Sequence, residues 1–320
     1  MQRREFIALS AAALAAGAVA RAPFAPAQTA AAPLDAEAYR RTRRHAALPF
    51  GRIAYLERGK GDAALFLHGA PLNGYQWRGA IDRLSPHRRC IAPDFMGLGY
   101  SEVPEGQSLA AGAQASMLAA LLDSLKITEV DIVASDSGGA VAQLFAVRNP
   151  QRVRSMLLTN CDVEPDSPPA KVMPAIEMAR NGTLADATAK WLTDRALARS
   201  TFGAAVFREP EKFADATIDY YVTPLVASPL RRAQYHAFHV ALSPNPLAGV
   251  EARLRQCQAP VRIVWGAADD IFAPSDADYL DRLFPHSQGV RLVPGAKLFF
   301  QEEFPDVIAE EALKLWKVRT

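Results

Sequence analysis

Short apolar runs alternate with amphipathic stretches along most of the chain, from about residue 52 onward. The apolar runs predict strands at 52–58, 63–69, 89–95, 130–135, 153–161, 261–267 and 290–295. Helical periodicity fills most of the intervals between them, for example over residues 109–125. Because helices between consecutive strands bring those strands into parallel pairs, this alternation predicts an α/β protein with a mostly parallel sheet flanked by helices.

One interval, from residue 162 to about residue 250, departs from the alternation because it holds helical patterns and no strand signal. It is too long to be a loop. We therefore predict an inserted helical cap over residues 162–250, with the core formed by residues 28–161 and 251–320. Sites in open sheets of this kind form at the carboxyl ends of the strands, and the cap is expected to cover that edge.

Residues 1–27 have the pattern of an export signal. An arginine pair, Arg3-Arg4, precedes a short apolar run, and Ala25-Pro26-Ala27 offers a small-residue cleavage site. The arginine pair predicts twin-arginine export and a periplasmic or secreted protein, while an ordinary secretory signal and an uncleaved anchor stay open as alternatives. Residues 28–46, which are Ala-rich and then basic, are interpreted as a tail or a first surface segment.

The chain carries a net charge of +2, and the leader accounts for all of it, so the mature protein is close to neutral. This balance gives no indication of nucleic acid or of a membrane surface as a partner. The expected partner is a small-molecule substrate, and the oligomeric state stays open. Cys90, Cys161 and Cys257 cannot all pair within one chain and are predicted to be buried free thiols.

The most informative motif is a strand, a sharp turn and a helix around Asp136. The apolar run at 130–134 is followed by Ser135-Asp136-Ser137-Gly138-Gly139 and then by a helical pattern. This order matches a nucleophile elbow with aspartate in the nucleophile position. Small residues flank such a turn because its backbone is strained and approaches its neighbours closely. Two alternatives stay open: Asp136 as a helix-capping residue, and Ser137 as the nucleophile.

Other polar groups follow neighbouring strands. His68-Gly69-Ala70-Pro71 directly follows an apolar strand, and the N–H of Ala70 could form an oxyanion hole together with that of Ser137. After the strand at 261–267, two adjacent aspartates could supply a supporting acid. Asp270 is preferred because a proline follows four residues on, and Asp269 stays open. Asn160 and Asp162 are extra polar groups at the same edge that could position water, although Asp162 fits a helix-capping role equally well.

These motifs together resemble the α/β-hydrolase fold, and within it the haloalkane dehalogenases and epoxide hydrolases, which carry an aspartate at the elbow. The resemblance spans roughly residues 48–318, and the segments "HGAP", "YQWRG" and "PDFMGLGYSE" match the family pattern. It implies an α/β-hydrolase fold with an inserted helical cap. It also implies that Asp136 attacks an alkyl carbon to form an ester, which a histidine-activated water then hydrolyses. No cofactor and no metal is implied.

The chain departs from that family at several positions. The segment "PGAKLFFQEEFP" aligns with the family's C-terminal G-x-G-H turn and places Leu298 on the histidine position. Ser137 stands where haloalkane dehalogenases have a halide-binding tryptophan, and Ala70 stands where they have a second halide donor. The cap tyrosines Tyr220, Tyr221 and Tyr235 do not fall on the spacing of the epoxide hydrolase pair.

The cap holds candidate bases that could replace the missing histidine. His236 and His239 are three residues apart and share a helix face that could look down on Asp136, and His236 is predicted as the base. The pair alone has too few ligands for a metal site. Partly buried or surface histidines, and Lys297 as the base, stay open. Residues predicted to bind substrate are His68, Trp77, Tyr220, Tyr235, His239, Leu298 and Phe299.

The sequence thus predicts a hydrolase that acts on a small, mostly apolar substrate at an ester, epoxide or carbon–halogen bond. Its nucleophile would be Asp136 and its supporting acid Asp270. The alternative is a catalytically silent binding protein on the same fold, which the missing histidine favours.

Overall fold

The computed structural model describes residues 34–318, and within them the chain forms one eight-stranded sheet. The predicted twin-arginine leader at residues 1–27 lies outside the described residues. The strands are β1 (Arg44–Leu48), β2 (Gly51–Arg58), β3 (Ala63–Leu67), β4 (Arg89–Pro93), β5 (Val130–Asp136), β6 (Val153–Cys161), β7 (Val261–Gly266) and β8 (Ser287–Val293).

The strand order is β1-β2-β4-β3-β5-β6-β7-β8. Strand β2 runs antiparallel to both of its neighbours, and all the other pairs are parallel. The mostly parallel sheet predicted from the alternation is therefore confirmed. Strands β3 and β5 are buried along their whole length, as continuous apolar runs in a sheet covered on both faces require.

The helices are α1 (Ala36–Thr42), α2 (Arg78–Leu84), α3 (Ala111–Ser124), α4 (Ser137–Arg148), α5 (Met173–Arg180), α6 (Leu184–Ala189), α7 (Arg195–Ala198), α8 (Ala204–Val206), α9 (Asp215–Val226), α10 (Pro229–Val240), α11 (Glu251–Leu254), α12 (Pro274–Leu283) and α13 (Pro305–Leu315). Helix α3 packs against α4, and α2 packs against α13. None of the helices within residues 34–318 is long and apolar enough to cross a bilayer. Cys90, Cys161 and Cys257 are buried and unpaired.

Of the two interpretations of residues 28–46, a tail is wrong from residue 36 onward, because this stretch contains α1 and the first residues of β1, whereas a first surface segment agrees with the mostly exposed side chains there. Strand β1 forms a tight antiparallel hairpin with β2, from Arg44 opposite Tyr55 to Leu48 opposite Gly51. It lies at the sheet edge, where its residues are only partly buried, so the sequence shows no apolar run. Arg44 Nη1 donates to Glu57 Oε2 over 2.7 Å, which gives the basic character of the segment a structural role.

The cap helices α5 to α10 lie between β6 and α11. Helix α10 begins after Ser228, whose hydroxyl accepts a hydrogen bond from the N–H of Arg231, and it packs against α5 and α9. The guanidinium of Arg231 donates to the carbonyls of Gly99 (2.7 Å) and Ser101 (2.9 Å), in the segment that follows β4. These bonds fix the first turn of α10 to the sheet domain.

Candidate active site

Asp136 ends β5 in a strained backbone conformation, with φ of 55° and ψ of −135°. A positive φ is costly for a residue with a side chain and is maintained only where the surroundings enforce it. The turn also brings the chain close to β3, since a Cβ on Gly138 would lie 2.6 Å from the carbonyl oxygen of His68. Ser137 by contrast is the first residue of α4. The elbow position therefore belongs to Asp136.

The carboxylate of Asp136 accepts a hydrogen bond at Oδ1 from the N–H of Ala70 over 2.8 Å. Burial raises the pKa of Asp136, and hydrogen bonds from the backbone N–H groups of Ser137 and Ala70 oppose that rise. Both amides predicted for the oxyanion hole thus lie beside this side chain, and the Ala70 amide hydrogen-bonds it directly. They are placed to hold a negative oxygen attached to its carboxyl carbon.

A cavity of about 550 Å³ lies between Asp136 and the cap. Its walls are mostly aliphatic and aromatic, which suits a small apolar ligand with few polar groups. Its polar lining includes Asp136, Ser137, Asp162, Lys171, Thr188, Lys190, Thr201, Tyr235 and His239. Eight of the residues singled out in the sequence line it: Ala70, Asp136, Ser137, Asp162, Tyr235, His239, Leu298 and Phe299.

The preference for Asp270 as the supporting acid is corrected by its position. The side chain of Asp270 is 65% exposed and forms an ion pair with Lys171 at the surface. Its neighbour Asp269 is buried, and accepts from Asn160 Nδ2 at Oδ2 (2.7 Å) and from the N–H of Ile271 at Oδ1 (2.9 Å). Burial raises the pKa of Asp269 to about 6, although these hydrogen bonds act against the rise. The inward-facing acid at the end of β7 is therefore Asp269.

The predicted base His236 does not line the cavity. Its Nε2 accepts a hydrogen bond from the N–H of Ala185 over 2.9 Å, in the first turn of α6, where backbone N–H groups lack partners within the helix. The lone pair that a base would use is thus occupied. The prediction of His236 as base is corrected by this contact, which makes it a structural residue of the cap.

His239 is the member of the pair that reaches the cavity. Its Nδ1 lies 3.0 Å from the carbonyl oxygen of Tyr235, and because a carbonyl only accepts, Nδ1 carries the proton. Burial lowers the pKa of His239 to about 4, so the ring is neutral at pH 7 and its Nε2 is an acceptor. The hydroxyl of Tyr235 lies 3.1 Å from Thr188 Oγ1, which also lines the cavity.

Three other residues predicted to bind substrate are structural. His68 is fully buried, accepts from the N–H of Phe95 at Nε2 and donates from Nδ1 to Gly69, so it fastens the oxyanion turn to the segment after β4. Trp77 is fully buried and packs on Phe66. Tyr220 belongs to an aromatic cluster with Tyr39, Tyr75 and Tyr100 and is hydrogen-bonded by Arg43. None of the three is among the residues lining the cavity.

Leu298 lines the cavity and is 2% exposed. The segment around it is held by Gln301, whose Nε2 donates to Thr159 Oγ1 (2.6 Å), Ser135 Oγ (3.0 Å) and the carbonyl of Leu298 (3.3 Å). Lys297 is also engaged, because its Nζ donates to the carbonyl of Ala204. The position that carries histidine in the family is therefore filled by an ordered apolar side chain.

Asp162 is a buried polar residue of the cavity wall that was not among the catalytic or substrate-binding residues predicted from the sequence. It follows β6, lines the cavity and accepts a hydrogen bond at Oδ1 from Ser167 Oγ over 2.6 Å. Burial, and then the negative charge of Asp136, raise the pKa of Asp162 to about 7. The sequence signal that could have identified Asp162 is its position directly after β6, the strand next to β5.

Comparison with known proteins agrees with this geometry. The alpha/beta hydrolase fold family matches residues 63–304. Haloalkane dehalogenase 2 of Mycobacterium tuberculosis is 28% identical over 284 residues, which cover 81% of this chain and 89% of that protein. The structure of the epoxide hydrolase CorEH superposes with a TM-score of 0.73 at 23% identity, covering 86% of this chain and 98% of that one.

Haloalkane dehalogenase DbeA from Bradyrhizobium elkani superposes with a TM-score of 0.69 at 24% identity, over 87% of this chain and 99% of that one. These relatives are hydrolases. The family match covers most of the chain, so the chain belongs to the alpha/beta hydrolase fold family, and it is an enzyme of the hydrolase class.

Proposed function

We propose that this hydrolase acts through a covalent ester on Asp136. The observation that supports the proposal is the strained elbow, which aims a buried carboxylate into the cavity while the Ala70 amide engages its Oδ1 at 2.8 Å. The second oxygen, Oδ2, forms the bond to a substrate carbon as the carbon–leaving-group bond breaks. Water then adds to the carboxyl carbon, the ester bond breaks, and the alcohol and the free carboxylate result.

The substrate that fits best is a small, mostly apolar electrophile. The cavity volume of about 550 Å³ and its aliphatic and aromatic walls support this class. Among such substrates the lining favours those with an oxygen leaving group. Tyr235 and Thr188 offer hydroxyls to a developing alkoxide, whereas Ala70 and Ser137 carry no ring N–H for a halide.

The test uses the intact protein and a panel of small epoxides, alkyl halides and activated esters. We expect mass spectrometry after rapid quenching to find an adduct that maps to Asp136, decays with time and is lost in Asp136→Asn. After single turnover in water labelled with heavy oxygen, the label should enter the Asp136 carboxylate. If no member of the panel gives an adduct or turnover, the proposal is overturned, and binding without reaction would favour a silent binding protein.

We further propose that the protein reaches the periplasm by twin-arginine export, on the basis of Arg3-Arg4 and the apolar run that follows. Replacing both residues by lysine should leave the protein in the cytoplasmic fraction with residues 1–27 uncleaved. Equal export of the two forms would favour an ordinary secretory signal.

A further inference from the structure

We propose that Asp162 is the catalytic base that activates water for hydrolysis of the Asp136 ester, with the hydroxyl of Ser137 orienting that water. This inference rests on the proposed function, because it assigns a residue to the second half of that reaction. The family resemblance leaves this half without a base, since Leu298 lies at the histidine position. Three features support the assignment: the strand register, a buried hydroxyl and the charges around Asp162.

The sheet register brings the two carboxylates together. Strands β5 and β6 are parallel neighbours, and Asp136 pairs with Cys161, so Asp162 is the next residue along the adjacent strand end. Both aspartates line the same cavity, and Asp162 is 6% exposed. The charge of Asp136 raises the pKa of Asp162, which agrees with a short distance between the two carboxylates.

Ser137 offers a second polar group at the same place. Its Oγ is buried beside the Asp136 carboxylate, whose pKa the hydroxyl lowers, and it forms no well-aligned hydrogen bond to any group among residues 34–318. Ser137 and Asp162 both line the main cavity and also a small adjoining cavity of about 10 Å³. That volume is close to the minimum for one water molecule, and a buried hydroxyl is costly unless it is hydrogen-bonded. A water held by these two groups would lie beside the elbow.

Ser167 fixes the orientation of the base. Its hydroxyl donates to Asp162 Oδ1 over 2.6 Å, and a hydrogen bond from the backbone N–H of Asp162 also favours the ionised carboxylate. We expect the second carboxylate oxygen to take the proton of water. Asp166 and Cys161 are the titratable groups near Asp162 on its own segment and strand, and the other titratable or charged groups that line the same cavity are His239, Tyr235, Lys171 and Lys190, besides Asp136.

The charge of Asp136 couples the ionisation of Asp162 to the two steps of the reaction, formation of the ester and its hydrolysis. Burial raises the pKa of Asp162, and the charge of ionised Asp136 raises it further, to about 7, so a fraction of Asp162 is protonated at pH 7. Formation of the ester removes the second of these two causes, and the pKa of Asp162 then falls. The ionised fraction of Asp162 therefore increases when a base is required. One water proton passes to Asp162 as the water oxygen bonds to the Asp136 carboxyl carbon. The bond between that carbon and the alkoxide oxygen then breaks, the alkoxide takes the second water proton and leaves as the alcohol, and Asp162 releases its proton to solvent.

The test follows formation and decay of the Asp136 adduct separately in the full-length mature protein. We expect Asp162→Asn, which keeps the side-chain shape, to form the adduct and to hydrolyse it about 10²–10⁴-fold more slowly. In the unchanged protein the decay should slow as the pH falls below an apparent pKa between the ordinary value of aspartate and about 7, and the variant should lose this dependence. Ser167→Ala should shift that pKa upward and slow decay less severely, because the base is kept but loses a donor that favours its charged form.

Asp166→Asn is the matched control, since it removes a neighbouring carboxylate that does not line the cavity, and its decay should stay within about threefold of the unchanged protein. An adduct that decays at the same rate with and without Asp162 would overturn the assignment and leave the nucleophile intact. The assignment is also overturned if His239→Ala stops decay while Asp162→Asn does not. Absence of any adduct in the unchanged protein would instead overturn the proposed function itself.

Discussion

Asn160 donates a hydrogen bond from Nδ2 to Oδ2 of Asp269 over 2.7 Å, at the sheet edge where the family resemblance places an acid that supports an imidazole. This chain therefore has an acid, Asp269, at that position, and the side-chain amide of Asn160 donates a hydrogen bond to it. Asp269 stays buried with a pKa raised to about 6, and the loop that carries Leu298 packs on the end of β7 through Gly266.

This arrangement predicts that Leu298→His would install a base. The new imidazole would lie in the cavity wall next to the inward-facing acid, so decay of the Asp136 adduct should accelerate by at least about tenfold. It should also restore decay in the Asp162→Asn background. The measurement is adduct lifetime by quenched mass spectrometry. Adding Asp269→Asn should remove the gain, and a gain that survives this change would show that the imidazole acts without the acid.

The stability of the protein should depend on the ionisation of Asp162. Because burial and the charge of Asp136 raise its folded pKa to about 7, above the unfolded value, the folded state favours the protonated form. The stabilisation is present at low pH and is lost as the pH rises through about 7. Asp162→Asn should then raise the melting temperature at pH 8 by on the order of 5 °C, with a smaller gain at pH 4. A gain that is equal at both pH values would contradict the raised pKa.

His236→Ala tests the cap histidine that the sequence favoured. The substitution removes the acceptor of the Ala185 N–H, so we expect a loss of about 1 kcal/mol in the free energy of unfolding. Adduct formation and decay should stay unchanged. Urea unfolding and adduct lifetime measured on the same preparation separate these effects. If the Asp136 adduct of the variant decays more slowly while its stability is unchanged, His236 would be the base.

Gln301→Leu should affect both stability and the first chemical step. Ser135 and Thr159 would lose their buried partner, and Gln76, which accepts from the N–H of Gly69 beside the oxyanion amide, would lose the acceptor of its Nε2 at 3.3 Å. Loss of these bonds should cost about 1–3 kcal/mol of unfolding free energy. We also expect slower adduct formation, because the Gly69-Ala70 turn is less firmly placed. Gln301→Glu keeps the size of the side chain and serves as the comparison.

The backbone geometry around Asp136 and the contact of Ala70 with it are encoded by local motifs, while the catalytic roles of these residues stay predictions. The elbow around Asp136 and the turn at Ala70 each need a particular run of small residues after a strand, so a short segment specifies them. The parallel sheet is likewise encoded by strands that are mostly apolar and largely buried. Strand β1 lacked that signal because an edge strand can be basic and only partly buried.

The parts that the sequence analysis missed depend on contacts between distant segments. Asp269 and Asp270 are adjacent and chemically identical, and they are told apart by contacts with distant segments: Asn160 on β6 binds Asp269, and Lys171 in the cap binds Asp270. His236 and His239 lie on one helix, and the position of α6 decides which one is occupied. Asp162 became a candidate base only when the register between β5 and β6 placed it beside Asp136.

The cap is attached unequally at its two sides. At one side the partly buried guanidinium of Arg231 binds two carbonyls of the sheet domain. At the other side, Lys171 in the cavity wall forms an ion pair with Asp270, and the two side chains are 55% and 65% exposed. Such an exposed pair contributes little to stability, and salt screens it. We therefore expect substrate and product to enter and leave beside Lys171. Helix α10, which Arg231 binds to the sheet domain, should keep its position during this exchange.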